Sequence, residues 1–274
     1  MVNNTETENL LEYMPTFKVW YKALLVYIFQ LIIFILAFIF FWWISSTLLL
    51  GAIFGQLIIA FLGTVPYIYI AGNSEKIRSK YLKRYGKSAG QYFWYRYHSY
   101  IIPLQSASLY FPLLLKTDYF LPAIIQFPSH FLTKSLLPIF IALPLSITLV
   151  VFGLFIRRAS RGFGSDEDHF LYMIYPQKGR LITQGIYRFI RHPRFLCRIT
   201  ITIGFGIFAN NLMAIGVVLI HLVIFYLLLI PEDKELGKRF SEGFLDYKNK
   251  VPSLFPRFGT WRNFIRFISS KRKK

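Results

Sequence analysis

Long apolar runs are the feature of this sequence that most constrains its fold. Aliphatic and aromatic side chains fill residues 24–50, 52–71, 135–156 and 195–230 with few interruptions. A helix needs about 20 apolar residues to cross roughly 30 Å of hydrocarbon, because it rises ~1.5 Å per residue. The chain of 274 residues is also 55% hydrophobic, with a mean hydropathy of +0.45, which is too apolar for a soluble domain. The sequence therefore predicts an integral membrane protein.

The apolar runs predict an all-α, polytopic fold with about six transmembrane helices. Gly51 separates the first two runs, which favours a helical hairpin. Asn210 and Asn211 supply a polar break at which the run 195–230 turns back as a second hairpin. Prolines interrupt the chain beyond residue 100, so we predict one span over 101–115 and then an irregular or re-entrant stretch.

Basic residues lie between these runs and at the C-terminus, and they give the chain a net charge of +19. Short basic segments beside spans stay in the cytoplasm, so we expect residues 73–100, residues 157–194 and the terminal KRKK on that face. Anionic lipid is the expected partner of this charge rather than nucleic acid, because the charge does not cover one polar domain face. With Cys197 as the sole cysteine, no intrachain disulfide is possible. A signal peptide is not expected, because the first 22 residues are polar and acidic-leaning.

Two segments that flank the last predicted hairpin carry residues suited to chemistry. The first is GIYRFIRHPRF, residues 185–195, in which arginines, a histidine and a proline precede a span. The second is PEDKELGKRFSEGFLDYKNKVPSLFPRF, residues 231–258. Its apolar residues recur at spacings of four, four and three, at Leu236, Phe240, Phe244 and Tyr247. This spacing predicts an amphipathic helix at the cytoplasmic face that Pro252 ends.

A hairpin that folds back on itself brings these two segments together. Glu232 and Asp233 would then lie near Arg191 and His192. Such a group is at least a network of interfacial salt bridges, and exposed pairs of this kind contribute only about 0–1 kcal/mol each. Alternatively, it binds a ligand that carries charges of both signs.

Taken together, the two segments resemble the C-terminal core of the isoprenylcysteine carboxyl methyltransferase and phospholipid methyltransferase superfamily of membrane enzymes. The family pattern is GxYxxxRHPxY, a helical hairpin, then EExxL and FGxxYxxYxxxVP. The matching residues are Gly185, Tyr187, Arg191, His192, Pro193, Glu232, Leu236, Phe240, Tyr247, Val251 and Pro252. The departures are Phe195 for tyrosine, Asp233 for glutamate, Ser241 for glycine, Phe244 for tyrosine, and Cys197 where glycine is common.

The resemblance covers residues 180–257, under a third of the chain. We accordingly divide the chain into three predicted parts. These are N-terminal transmembrane helices on the substrate or lipid side over 1–156, a methyltransferase-like core over 157–258, and a basic tail over 259–274.

The resemblance implies methyl transfer from S-adenosylmethionine to a membrane-embedded lipid or lipidated acceptor with a carboxylate or amine headgroup. The methionine end of this cofactor carries an ammonium, suited to Glu232 or Asp233, and a carboxylate, suited to Arg191 or His192. Arg191 and His192 are also the candidates that position the reacting groups, and aromatic residues would form an adenine slot. The predicted cofactor-binding residues are Tyr187, Arg191, His192, Pro193, Phe195, Glu232 and Asp233.

Two other functions stay open at this level. The same C-terminal pattern resembles membrane reductases of the sterol reductase type, which bind NADPH, but no further cytoplasmic motif for the second nucleotide half is found. The other alternative is a non-enzymatic scaffold that holds anionic lipid. A scaffold gives no reason for the acidic Glu232 and Asp233 beside an anionic leaflet. No obligate protein partner is evident.

Three remaining features have plainer interpretations. The segment DEDH, residues 166–169, could bind a metal, but acidic side chains in a basic loop are more often solvated, so no metal is predicted. His221 lies in mid-span, where a hydrogen bond between helices is the expected role. Gly204 and Gly206 are explained as well by close helix packing as by a cofactor.

Overall fold

A computed structural model describes residues 20–48, 50–115, 132, 134–160 and 172–270. Regular structure in this part of the chain is entirely helical, which confirms the predicted all-α class. The helices are α1 (Trp20–Thr47), α2 (Gly51–Gly72), α3 (Ser74–Tyr85), α4 (Ala89–Phe93), α5 (Ser99–Leu114), α6 (Ile139–Ser160), α7 (Pro193–Ala209), α8 (Leu212–Lys250) and α9 (Trp261–Ser269). The predicted re-entrant stretch over 116–131 and the segment 166–169 lie outside the described residues.

Four helices of the described chain, α1, α2, α6 and α8, are long and apolar enough to cross a membrane. Their outward faces carry large apolar side chains, such as that of Phe140, which is 74% exposed. Such exposure is expected where acyl chains replace water as the solvent. The helices α5 and α7 lie where two further spans are predicted, but they have only 16 and 17 residues. The count of six spans therefore stays a prediction.

The first hairpin turns just before α2, at the glycine that predicts it. A Cβ atom on Gly51 would lie only 1.8 Å from the carbonyl oxygen of Ile44, so the helix ends approach too closely for a side chain. One turn further on, a Cβ on Gly55 would lie 2.9 Å from the ring of Phe41. The Phe41 ring in turn stacks on Phe111 of α5, with 4.1 Å between ring centres. Small residues thus allow α1, α2 and α5 to pack together.

The second hairpin, between α7 and α8, is built by the asparagine pair that predicts it. Asn210 adopts a left-handed conformation with φ of 61°, which asparagine tolerates better than most residues. Its side chain accepts a hydrogen bond from the N–H of Leu137 at 2.9 Å and donates to the carbonyl oxygen of Leu137 at 2.7 Å. Asn211 caps α8 by accepting from the N–H of Ala214 at 2.8 Å. The turn is therefore tied to the segment that leads into α6.

Helix α8 continues through the expected membrane exit rather than ending there. It has 39 residues, with Pro231 inside it, and it ends just before Pro252. The residues predicted to form a separate amphipathic helix lie in its second half, and their place at the cytoplasmic face stays a prediction. Phe244 and Tyr247 of the predicted apolar stripe are buried, and the other two residues of the stripe are half-buried. The helix is kinked at Ser241, which has φ of 46°, a conformation that glycine adopts more readily.

The segment assigned to a basic tail forms a helix. Helix α9 buries Phe264 and Ile268 on one face and exposes its arginines on the other. Phe264 packs edge-on against Phe189, with 5.8 Å between ring centres. The helix α9 thus supports the turn that carries GIYRFIRHP, while residues 271–274 lie outside the described chain. The three-part division of the chain stays a prediction.

Candidate functional site

Hydrogen bonds hold the segment 185–195 beside the segment 231–258. The N–H of Arg191 donates to the carbonyl oxygen of Pro252 at 2.9 Å, and the N–H of His192 makes the same kind of bond one residue further on at 3.0 Å. The hydroxyl of Tyr247 donates to the carbonyl oxygen of Tyr187 at 2.7 Å. The folded-back hairpin therefore brings the RHP segment beside the second half of α8.

Asp233 lies at the centre of the side-chain contacts between these segments. Its Oδ1 accepts a hydrogen bond from His192 Nε2 at 2.9 Å, and its Oδ2 accepts one from Arg191 Nη2 at 3.1 Å. The ammonium of Lys248 lies 3.3 Å from Oδ2. Sequence analysis did not identify Lys248 as a residue of the site. A single carboxylate thus binds three basic side chains.

Glu232 lies on the other side of His192. Its Oε1 is 3.5 Å from His192 Nδ1, whereas Asp233 binds Nε2. His192 is only 3% exposed. Burial lowers the pKa of His192, but the hydrogen bonds and charges of Asp233 and Glu232 more than offset this effect and raise the pKa to about 9. The imidazole is therefore cationic at neutral pH, with a carboxylate beside each nitrogen.

We refer to Arg191, His192, Glu232, Asp233 and Lys248 as the charged cluster. Two carboxylates and three basic groups meet in it. The buried Nε of Arg191 has no hydrogen-bond partner among the residues that the structure describes. A buried donor of this kind is costly unless a further acceptor satisfies it. The cluster can therefore bind a ligand that presents both an anionic and a cationic group.

The remaining predicted binding residues lie at different distances from the cluster. Phe195 packs edge-on against His192, with 5.8 Å between ring centres. Pro193 is buried as the first residue of α7, where its fixed φ suits a helix. The ring of Tyr187 packs instead in the hydrophobic cluster around α9. Phe195 is thus better placed than Tyr187 to contact a ligand at the charged cluster.

Sequence analysis also missed three polar residues that lie on the helices α2 and α8. Glu235 and Arg239 form a salt bridge one turn apart on α8, with side chains 4% and 6% exposed. Tyr67 of α2 lies close enough to Glu232 and Glu235 for their charges to act on its hydroxyl group. The spacing of four between glutamate and arginine could have indicated their pair. Nothing local indicates Tyr67, because its position depends on how α2 packs against α8.

The plainer predictions can also be compared with the structure. His221 Nδ1 lies 3.3 Å from the hydroxyl of Ser108, so this histidine bridges α8 and α5 as expected. A Cβ on Gly204 would lie 2.9 Å from a side-chain carbon of Val150, which favours the packing interpretation. Over the described residues, no group of three or more His, Cys, Asp or Glu side chains could hold a metal ion.

Comparisons with known proteins match the part of the chain that carries most of these residues. A family model described as phospholipid methyltransferase matches residues 141–243. The cobalt-zinc-cadmium resistance protein CzcN of Cupriavidus metallidurans is 28% identical over 43% of this chain and 53% of its own length. The nickel-cobalt-cadmium resistance protein NccN of Alcaligenes xylosoxydans xylosoxydans is 29% identical over 34% of this chain and 44% of its own length. Protein-S-isoprenylcysteine O-methyltransferase of Xenopus laevis is 29% identical over 41% of this chain and 40% of its own length.

The chain spans about half the length, or less, of the curated relatives it matches. No solved structure matches it. The matched region includes the RHP segment, the α7–α8 hairpin and both carboxylates of the charged cluster. The resemblance in the sequence rests on these segments and also on Tyr247, Val251 and Pro252, which lie beyond the matched residues. The C-terminal region of this chain is therefore similar to membrane methyltransferases, namely the phospholipid methyltransferase family over residues 141–243 and the isoprenylcysteine methyltransferase relative.

Proposed function

We propose that this protein transfers a methyl group from S-adenosylmethionine to a membrane-embedded lipid or lipidated acceptor with a carboxylate or amine headgroup. The observation that carries the proposal is the charged cluster, in which the acidic pair on α8 contacts Arg191 and His192 beside α7. The family match and the isoprenylcysteine methyltransferase relative support methyl transfer at a membrane. Charges of both signs at one point support a zwitterionic ligand.

The side chains of the cluster fit the methionine end of this cofactor. We assign the ammonium to Glu232, because Asp233 binds three basic groups of the chain itself. The buried Nε of Arg191, without a partner in the described chain, suits the carboxylate. The fit therefore assigns different tasks to the two acidic residues.

When bound, the cofactor supplies a methyl group that its sulfonium charge activates. The residues of this chain then act mainly by positioning, which contributes up to about 7–11 kcal/mol in favourable cases. Asp233 orients Arg191 and His192 by accepting a hydrogen bond from each. Phe195, packed beside His192, keeps the inner side of the cluster apolar. An acceptor with an apolar tail reaches this side from the bilayer.

S-adenosylhomocysteine should raise the melting temperature of the detergent-solubilised protein. A ligand that binds only the folded state stabilises it by about 2.7 kcal/mol at 100 times its Kd. Thermal unfolding followed by tryptophan fluorescence, over a series of ligand concentrations, measures this effect. NADPH is the comparison ligand. A shift with NADPH and none with S-adenosylhomocysteine would favour a reductase, and no shift with either would favour the scaffold.

We further infer that the charged cluster faces the cytoplasm, because the basic segments flank it. Single cysteines at exposed positions test this orientation in a Cys197→Ser background. Lys83→Cys, Gln184→Cys and Ser270→Cys should react with a membrane-impermeant maleimide only when the cytoplasmic face is accessible. Leu48→Cys, in the turn between α1 and α2, should react from the opposite face. Labelling of positions 83 and 184 from opposite faces would contradict the inferred topology.

A further inference from the structure

Exposed arginines lie on three neighbouring elements, namely the end of α6, the turn 185–188 and α9. We call them the arginine surface: Arg157, Arg158, Arg188, Arg262 and Arg266. The three elements contact one another. Phe264 of α9 packs edge-on against Phe189 at 5.8 Å, and its ring centre lies 6.5 Å from that of Phe152 in α6. The packing of these rings brings the arginine-bearing elements together.

The arginines of the turn and of α9 are close to each other within this surface. The guanidinium carbon of Arg188 lies 4.6 Å from the centre of the Phe189 ring and 5.3 Å from that of Phe267 in α9. Arg262 and Arg266 are four residues apart on the exposed side of α9, so their side chains are neighbours. Like charges at this spacing repel each other. An anion bound between them would offset that repulsion.

Acidic side chains of the described chain do not pair with the arginine surface. The salt bridges among the described residues all involve the RHP segment or α8. The acidic residues in the described ranges lie on α8, apart from Glu75 on α3. The arginine surface is therefore positively charged in this part of the chain, and its field attracts an anionic partner.

Arginine is the only basic residue type on α6, on the turn 185–188 and on α9. A segment that is merely retained on one side of a membrane needs positive charge, which lysine supplies as well as arginine. A guanidinium differs from an ammonium because its planar N–H groups bind a phosphate bidentately. The choice of residue therefore favours a phosphate group as the anionic partner.

The position of the arginine surface suits a phosphate that belongs to a lipid. Arg157 and Arg158 lie in the last turn of α6, a helix long and apolar enough to cross a membrane, so they mark the level of the headgroups. Phe255 and Phe258, shortly before α9, are 57% and 98% exposed. Exposed aromatic side chains beside basic ones are typical of segments that lie in the membrane interface.

We propose that the arginine surface binds the phosphate group of an anionic phospholipid in the adjacent leaflet. This binding site is separate from the charged cluster, and the proposal does not depend on methyl transfer. A zwitterionic phospholipid binds more weakly, because the arginines repel its ammonium group. A lipid bound to both α9 and the turn 185–188 would hold these elements together and thereby stabilise the fold.

Short-chain phospholipids that differ only in the headgroup test this proposal. Dioctanoyl phosphatidylglycerol, dioctanoyl phosphatidylcholine and inorganic phosphate are each titrated into the full chain in neutral detergent, and the melting temperature is recorded. Phosphatidylglycerol should bind about ten-fold more tightly than phosphatidylcholine, as judged from the concentration dependence of the shift. Equal affinities for the two lipids would overturn the proposal. An equally large effect of inorganic phosphate would assign the site to a soluble anion and would overturn the lipid assignment.

The double variant Arg262→Gln/Arg266→Gln should lose most of the preference for phosphatidylglycerol. Its melting temperature without lipid should stay near that of the wild type, because both arginines are exposed and the helix is held by the buried Phe264. The matched control is Lys76→Gln/Lys80→Gln, which removes two exposed charges at the same spacing from α3. The control should keep the preference. Equal losses in both double variants would show a response to net charge alone and would overturn the site.

Arg262→Lys/Arg266→Lys separates charge from geometry. The change keeps both positive charges but removes the planar N–H groups that bind a phosphate bidentately. Its affinity for phosphatidylglycerol should fall between those of the wild type and of the glutamine variant. Affinity equal to that of the wild type would overturn bidentate binding by these arginines.

Discussion

Asp233→Asn is expected to lower the free energy of unfolding by about 3 kcal/mol near pH 6.5. The change leaves Arg191 and His192, both largely buried, without the carboxylate that they share. Removing one partner of a buried ion pair costs about 3–5 kcal/mol. We expect the lower end of that range, because the Asp233 side chain is 15% exposed. Lys248, which is more exposed, can be solvated by water instead.

The same substitution should also remove a dependence of stability on pH. Burial lowers the pKa of His192, but its acidic partners raise the pKa overall from 6.5 to about 9. Because the folded-state pKa is the higher one, this stabilisation is fully present below about pH 6.5 and is lost as the pH rises through about 9. The wild-type free energy of unfolding should fall by roughly 3 kcal/mol over that interval. Without Asp233 most of this fall disappears.

Melting temperatures of both proteins between pH 6.5 and about 9.5 provide the measurement. The difference between wild type and Asp233→Asn should be largest at the acidic end. Asp246→Asn is the matched control on the same helix, since Asp246 pairs with Lys250 at 2.7 Å and both side chains are exposed. That exposed pair should contribute less than about 1 kcal/mol. A pH-independent difference for Asp233→Asn would show that His192 is not held cationic by this carboxylate.

The sequence was sufficient to predict the two hairpins but not the length of α8. Gly51 and the pair Asn210–Asn211 are local signals, because a close backbone approach and a left-handed turn each restrict the residue types allowed. Continuation of α8 through Pro231 is not a local property. Proline removes one backbone donor, and a helix can continue past it where the surrounding packing compensates.

For the candidate site, the sequence predicted which segments meet but not the partner of each side chain. The proximity of Arg191 and His192 to the acidic pair follows from the hairpin, because the segments before and after it must emerge together. The different partners of Glu232 and Asp233 do not follow, since one helical residue turns a side chain by about 100°. The contact of Arg198 with Phe225 does not follow from the sequence either, because it depends on how α7 and α8 pack.

Glu232→Gln is expected to weaken the binding of S-adenosylhomocysteine about ten-fold to a hundred-fold. The change keeps the size of the side chain and its helix propensity but removes the charge. It should therefore cost the 1.5–3 kcal/mol or so of a charge-assisted hydrogen bond to the ligand's ammonium. The melting temperature should hardly change, because Asp233 still binds the imidazole of His192 at 2.9 Å.

The dissociation constant, measured beside the melting temperature of each variant, separates ligand binding from structural support. Glu242→Gln is the matched control, because Glu242 is exposed on the same helix and undergoes the same chemical change. If Glu232 only strengthened the contact between the two segments, its variant would lose stability of up to ~1 kcal/mol and keep its affinity. Equal affinities in the wild type and both variants would therefore remove Glu232 from the cofactor site. The ligand's ammonium would then have to bind elsewhere, even if methyl transfer itself were demonstrated.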